Sequence, residues 1–193
     1  MLGKYITDAY SVQNPFQGAK RSLNDYYMDA AIKDGKDSNV QRMVRRISYL
    51  AVLRRLNAVT QMDKSPIPLQ AEMLDKLQGA QCFSALELAS GFYQLTVDKE
   101  SRHLTAFPTA KGQDQWRVMP MGLTNAPAIF QKVMTSILDK HIAGGYCLVY
   151  IDDIIIYSKS EQQHALHLDL VLTSLKEHNL FCQLPKCVFG TYC

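Results

Sequence analysis

The sequence predicts an α+β fold in which one antiparallel sheet is backed by helices. The apolar runs at 146–150 and 154–157 are rich in Val, Ile and Tyr and flank two adjacent aspartates, a pattern typical of a β-hairpin. An amphipathic helical pattern follows at about 161–178. Because helices and antiparallel strands alternate along the chain, the strands are expected to form one sheet with helices packed behind it.

The remaining elements follow in chain order from the same patterning. A helix is predicted at about 69–77 and a strand at 82–88, with two short strands at 103–107 and 115–119. A helix is predicted from 126 to about 142, because Thr124 or Asn125 suits an N-cap and Pro127 suits the first turn. A last strand is expected near Phe181. The pattern before residue 53 is irregular. We therefore expect two parts, an N-terminal segment without a clear pattern, 1–52, and a domain, 53–193.

Composition supports a globular protein and argues against a membrane span. The chain has 193 residues, of which 47% are hydrophobic, enough to bury one core. No apolar run approaches the roughly 18 residues of a transmembrane helix. Five cysteines at irregular spacings fit free thiols in a reducing compartment, so the sequence predicts an intracellular protein of cytoplasm or nucleus.

The two adjacent aspartates at the hairpin tip indicate a metal site. Asp152 and Asp153 repel each other, and each is pushed toward protonation unless a cation lies between them. Oxygen ligands of this kind suit magnesium, whose coordination is usually completed by water and substrate phosphates. The pair therefore points to phosphoryl transfer. The alternative is a plain polar turn, since aspartate is a favoured turn residue.

From Leu53 onward the chain resembles the fingers and palm of a reverse transcriptase of the Gypsy class of LTR retrotransposons. Several motifs in order carry the resemblance: 53–60 (LRRLNAVT), 83–95 (FSALELASGFYQL), 105–107 (TAF), 119–131 (MPMGLTNAPAIFQ), 150–153 (YIDD) and 181–189 (FCQLPKCVF). The resemblance implies a reverse-transcriptase-like palm with partial fingers. It also implies an RNA-directed DNA polymerase, a nucleotidyltransferase that binds an RNA or DNA template-primer and deoxynucleotide triphosphates.

The same resemblance implies a catalytic triad of carboxylates that hold Mg²⁺, with Mn²⁺ as an alternative. Asp152 and Asp153 supply the hairpin pair, and Glu87 stands where the family has aspartate. The extra methylene moves the carboxylate by about 1 Å, a displacement that can lower the rate roughly 100-fold. Activity is therefore expected to be weak or lost.

Other roles are implied residue by residue. Phe92 falls where the family excludes a ribose 2′-hydroxyl, although core packing is the commoner role of a Phe on sequence alone, and both roles can hold. The residues implied in nucleotide binding are Phe92, Met121, Gly122 and Arg42. Strict spacing places Ser48 where the family has its triphosphate arginine, so Arg45 and Arg46 are alternatives to Arg42 for that contact. Those implied in nucleic-acid binding are Arg54, Arg55, Asn57, Asn125 and Pro127. Five arginines without an acid within 42–55 suit phosphates, although a solvated basic surface is an equal alternative.

Two functional hypotheses follow. In the first, the chain is the polymerase domain of a retrotransposon-derived protein. In the second, it is an inactive retroelement-derived fragment that binds nucleic acid or a protein partner. The second hypothesis rests on the C-terminal end. The family continues past the segment 184–190 into a primer grip and thumb, whereas this chain stops at Cys193, so a primer is expected to be poorly held.

Overall fold

A computed structural model describes residues 49–50, 52–65, 68–109 and 112–192. The strands in chain order are β1 (Cys82–Glu87), β2 (Phe107–Thr109), β3 (Gly112–Asp114), β4 (Cys147–Tyr150), β5 (Asp153–Ser158) and β6 (Val188–Tyr192). The helices are α1 (52–59, with 49–50 also helical), α2 (Gln70–Lys76), α3 (Ala126–Ile137), α4 (Asp139–Ala143) and α5 (Glu161–Glu177). Short 3₁₀ helices lie at Gly91–Gln94, Arg102–Thr105 and Leu184–Lys186.

Four strands form the main antiparallel sheet, in the order β4-β5-β1-β6. Burial alternates along β5, because successive side chains of a strand point to opposite faces. The buried face packs against α3 and α5 in a single apolar core, which includes Leu86, Ile154, Ile156, Phe130, Met134, Leu138, Val171 and Leu175. The α+β prediction, with one antiparallel sheet backed by helices, is confirmed. Among the described residues, no helix is both long and apolar enough to cross a membrane.

A second, aromatic cluster connects the helical residues 49–50 and 52–59 to the loops beside the sheet. Trp116 lies at its centre, 1% exposed, with its ring stacked on Tyr93 at a centroid distance of 5.9 Å. Tyr49, Leu53 and Phe107 complete the cluster. Because aromatic rings bury large areas, this cluster ties α1 to the domain that carries the acidic residues.

The two short strands predicted at 103–107 and 115–119 differ from the structure in their bounds. Residues Arg102–Thr105 form a 3₁₀ helix, so the first strand (β2) begins only at Phe107, and the second is reduced to a bridge between Val118 and Thr96, while β2 pairs with β3 instead. Thr105 explains the difference, because its hydroxyl donates to the Arg102 carbonyl at 2.7 Å and accepts from the Trp116 N–H at 2.9 Å. Such side-chain hydrogen bonds offer the backbone an alternative to a strand ladder.

Two further predicted elements differ in their bounds. The helix predicted from 126 to 142 is interrupted at Leu138, which separates α3 from α4. The strand predicted near Phe181 is reduced to a single bridge between Cys182 and Leu88. The continuous strand β6 begins after Pro185, because proline provides no N–H and here lies in a 3₁₀ turn.

A buried histidine lies between the sheet and α5. His164 is 2% exposed, and its two ring nitrogens lie 2.7 Å from the Ser84 hydroxyl and 3.0 Å from the Ser158 hydroxyl. Burial, with a smaller contribution from His167, lowers the pKa of His164 below its usual 6.5. Burial also lowers the pKa values of His167 and His141.

Acid is therefore expected to destabilise the fold through His164. The unfolded chain protonates this histidine near pH 6.5, whereas the folded protein does so only at lower pH, so the free energy of unfolding decreases as pH falls through that range. Denaturant titrations from pH 7.5 to pH 5 should show a shallower decrease in His164→Gln than in the unsubstituted chain. His178→Gln, at an exposed helix end, serves as control, and equal slopes for all three proteins would contradict the assignment.

Candidate active site

Three acidic residues meet at one end of the main sheet. The register of β1 against β5 places Glu87 directly opposite Asp153, and the Leu88 N–H donates to the Asp152 carbonyl at 3.1 Å. The predicted hairpin is confirmed, with Tyr150 paired to Asp153 across a two-residue turn. Folding thus brings a strand end and a turn, distant in sequence, to the same place.

The turn between β4 and β5 is strained and is held by a buried glutamine. Ile151 has a φ of 55°, in the left-handed region that β-branched residues rarely adopt. Its N–H donates to Gln131 Oε1 at 2.7 Å, while Gln131 Nε2 donates to the Val149 carbonyl at 3.1 Å. Sequence reasoning missed this role of Gln131. The available signal was that Gln131, a polar residue, shares the buried face of α3 with Phe130 and Met134.

Close packing beneath the turn leaves no space for a side chain at Gly91. A Cβ there would lie 2.8 Å from Cζ of Phe130 and 3.3 Å from Cβ of Asp152. The next residue, Phe92, is half-buried, with its ring centroid 5.1 Å from that of Phe130. The core of α3 therefore sets the position of the aspartate turn, and Phe92 contributes to that packing.

The electrostatics of the acidic residues involve one nearby lysine. Loss of hydration raises the pKa of Asp153, and the negative charges of Asp152 and Glu87 raise it further, while Lys186 opposes the rise. Lys186 Nζ lies 2.5 Å from Glu87 Oε1. This hydrogen bond raises the pKa of Lys186, as do the charges of the three carboxylates. In the folded protein, the three carboxylates therefore favour the charged form of Lys186, and Lys186 offsets part of the rise in the pKa of Asp153.

The donor chemistry of this cluster suits a hard divalent cation, because it consists of carboxylate oxygens only. Within the described ranges, however, no three acidic, histidine or cysteine side chains are arranged to hold a metal ion. The Glu87 carboxylate instead bonds to Lys186. Of the three carboxylates, Asp152 and Asp153 are therefore the ones that would be left to hold a metal while Glu87 is paired with Lys186.

Side-chain hydrogen bonds from Tyr49 and Asn57 hold the loop at Met121 and Gly122, which is predicted to border the nucleotide. The Tyr49 hydroxyl donates to the Met121 carbonyl, and Asn57 Nδ2 donates to the Gly122 carbonyl at 2.7 Å. Gly122 has a φ of 101°, which favours glycine. The Met121 side chain remains exposed beside it. Arg42, predicted to bind the triphosphate, lies outside the described residues.

The residues predicted to bind nucleic acid fall into two groups. Arg54 and Arg55 are exposed on α1 and Pro127 lies in the first turn of α3, whereas the amides of Asn57 and Asn125 form hydrogen bonds within the protein. Asn57 Oδ1 also accepts from the Thr124 N–H, at 2.9 Å.

Asn125 occupies the N-cap position of α3, but its side chain does not cap the helix. It donates to the Gln61 carbonyl at 2.8 Å and accepts from the Asp63 N–H at 3.0 Å. Asn57 and Asn125 therefore join α1 and the segment after it to the loop at 121–125.

Comparison with known proteins identifies the family. A model described as reverse transcriptase (RNA-dependent DNA polymerase) matches residues 33–192. The chain is 44% identical over 156 residues to the retrovirus-related Pol polyprotein from transposon 297 of Drosophila melanogaster, covering 81% of this chain and 14% of that protein. It is also 38% identical over 146 residues to the enzymatic polyprotein of figwort mosaic virus, covering 76% of this chain and 21% of that protein.

Solved structures agree with the sequence relatives. The foamy viral protease-reverse transcriptase in complex with double-stranded DNA superposes with a TM-score of 0.66 at 25% identity, over 72% of this chain and 24% of that one. The same enzyme in complex with an RNA/DNA hybrid gives 0.63 at 27% identity, over 70% of this chain and 18% of that one. The chain thus spans less than a quarter of these relatives. It belongs to the reverse transcriptase family.

Proposed function

We propose that this chain is the RNA-directed DNA polymerase domain of a Gypsy-class retrotransposon Pol protein, with Asp152, Asp153 and Glu87 as its catalytic carboxylates. The observation that carries the proposal is the meeting of β1 and the β4–β5 turn, which brings these residues to one end of the sheet. The 44% identity to the Pol polyproteins of transposons 297 and opus supports the Gypsy assignment.

The family implies a divalent metal, which when bound would stabilise the negative charge that develops on the transferred phosphoryl group. Asp152 and Asp153 would hold the metal, here proposed to be Mg²⁺ with Mn²⁺ as a substitute. Gln131 holds the turn on which Asp152 lies, and Gly91 lets that turn pack against Phe130. The protein's contribution is thus mainly positioning, which dominates phosphoryl-transfer catalysis.

The proposed substrates are a template-primer and deoxynucleotide triphosphates. The foamy viral neighbours were solved with double-stranded DNA and with an RNA/DNA hybrid, which supports a duplex partner. Phe92 would border the sugar, next to the loop at Met121 and Gly122, and Arg54 and Arg55 would face nucleic-acid phosphates from α1. Because no disulfide joins the described cysteines, we propose that this activity takes place inside the cell.

Primer extension on poly(rA)/oligo(dT), with Mg²⁺ and separately with Mn²⁺, tests the proposal. Extension should disappear in Asp152→Asn and persist in Asp169→Asn, which removes an exposed carboxylate on α5. Glu87→Asp should increase extension, because it restores the shorter carboxylate of the family. Absence of extension in folded protein, even with Glu87→Asp, would reject the polymerase and leave a nucleic-acid- or protein-binding fragment.

A further inference from the structure

Backbone hydrogen bonds fix the position of Lys186 beside the acidic cluster. Lys186 ends the 3₁₀ turn Leu184–Lys186, and this turn is attached to the main chain of Glu87 itself, since the Gln183 N–H donates to the Glu87 carbonyl at 2.8 Å. The Lys186 N–H in turn donates to the Gln183 carbonyl at 2.9 Å. A bridge between Cys182 and Leu88 holds the start of the same segment. Backbone hydrogen bonds therefore hold Lys186 next to the acidic residues.

The charges explain what the lysine does there. Three carboxylates lie together, and Lys186 is the one basic residue, among those the structure describes, that forms an ion pair with any of them. Its partner is Glu87, the residue that stands where the family has aspartate. The additional methylene of glutamate extends the carboxylate away from its own strand, and in this chain that carboxylate meets Lys186 Nζ.

We propose that Lys186 is a tethered counter-cation that competes with a divalent metal for the Glu87 carboxylate. This inference rests on the proposed function, in which the same carboxylates hold the metal. The Lys186 ammonium holds Oε1 of Glu87 and balances its single negative charge. A metal at this carboxylate has to replace the lysine on Oε1 or share that charge with it, so the ion pair is weakened and the apparent metal affinity is lowered.

The competition is expected to be moderate. The side chains of Lys186 and Glu87 are 52% and 30% exposed, and ion pairs of such exposure are weak. Removing the lysine should therefore raise metal affinity about three- to tenfold rather than by orders of magnitude. The effect should depend on glutamate, because an aspartate at position 87 is a methylene shorter and would lose this contact.

Manganese binding to the full chain without nucleic acid tests the proposal, with free Mn²⁺ measured by its electron paramagnetic resonance signal. Lys186→Met should bind Mn²⁺ at least threefold more tightly than the unsubstituted chain, and Lys186→Gln should behave alike. Lys176→Met removes an equal charge from an exposed site on α5 and should leave the affinity unchanged. In the Glu87→Asp background, Lys186→Met should change the affinity less than twofold.

Three outcomes would overturn the inference. Unchanged or weaker binding in Lys186→Met would mean that the lysine does not compete. An equal gain in the Glu87 and Glu87→Asp backgrounds would mean that a general electrostatic effect acts instead of the ion pair. If no variant binds Mn²⁺ in a manner that Asp152→Asn abolishes, the inference fails, and primer extension decides the proposed function separately; binding that depends on Asp152 but ignores Lys186 likewise rejects the inference alone.

Discussion

Replacing Gln131 by methionine is expected to lower primer extension about 100-fold while the domain stays folded. Gln131 is 5% exposed, and its side-chain amide holds the β4 side of the β4–β5 turn, where it accepts from the Ile151 N–H and donates to the Val149 carbonyl. Methionine retains the volume but neither hydrogen bond. Ile151 then has nothing to hold it at a φ of 55°, and displacement of Asp152 by about 1 Å suffices for a loss of this size.

Two measurements separate positioning from general destabilisation. Amide hydrogen exchange should show the Ile151 N–H becoming labile in Gln131→Met, while amides in the middle of β5 remain protected. Thr135→Val is the matched control, because it removes only the third contact of Gln131, at 3.2 Å, and leaves both backbone contacts. A Gln131→Met protein with normal extension and a protected Ile151 amide would show that the turn keeps its geometry without the glutamine.

The fold could be predicted from sequence where local pattern and tertiary structure agree. The hairpin of β4 and β5 was found because its Val, Ile and Tyr runs flank an acidic turn, and α5 because its apolar face repeats at helical spacing. The strand predicted at 103–107 failed because the side chain of Thr105 satisfies a backbone N–H that a strand would have paired. A pattern of apolar residues carries no information about such a hydrogen bond.

The acidic residues of the site could be named from sequence, but their partners could not. Lys186 and Glu87 are 99 positions apart, and only the folded turn brings them into contact. Gln131 was part of a recognised motif, yet its buried partners lie on another element. The family resemblance predicts that Asn57 and Asn125 lie near nucleic acid, and the structure shows in addition that their amides join α1 and the segment after it to the loop at 121–125. In each case the missing information is a long-range hydrogen bond.

The largest loss of stability is expected from Phe130→Ala, about 3–5 kcal/mol, as is typical for truncating a buried phenylalanine. Phe130 is 0% exposed and lies where α3 meets both the sheet core and Gly91. Alanine would leave a cavity under the aspartate turn, and the backbone at Gly91 cannot fill it because it has no side chain. Since folded domains are stable by only about 5–15 kcal/mol, the substitution removes a large part of the total.

Chemical denaturation measures this loss, with Ile129→Ala as the neighbouring control. Ile129 belongs to the same helix but is 43% exposed, so its truncation should lower the free energy of unfolding by well under half as much. Phe130→Leu, which retains most of the volume, should lie between the two and provides a folded protein if Phe130→Ala does not fold. Equal losses at 129 and 130 would mean that α3 does not pack through Phe130, and the link from this core residue through Gly91 to Asp152 would then be lost as well.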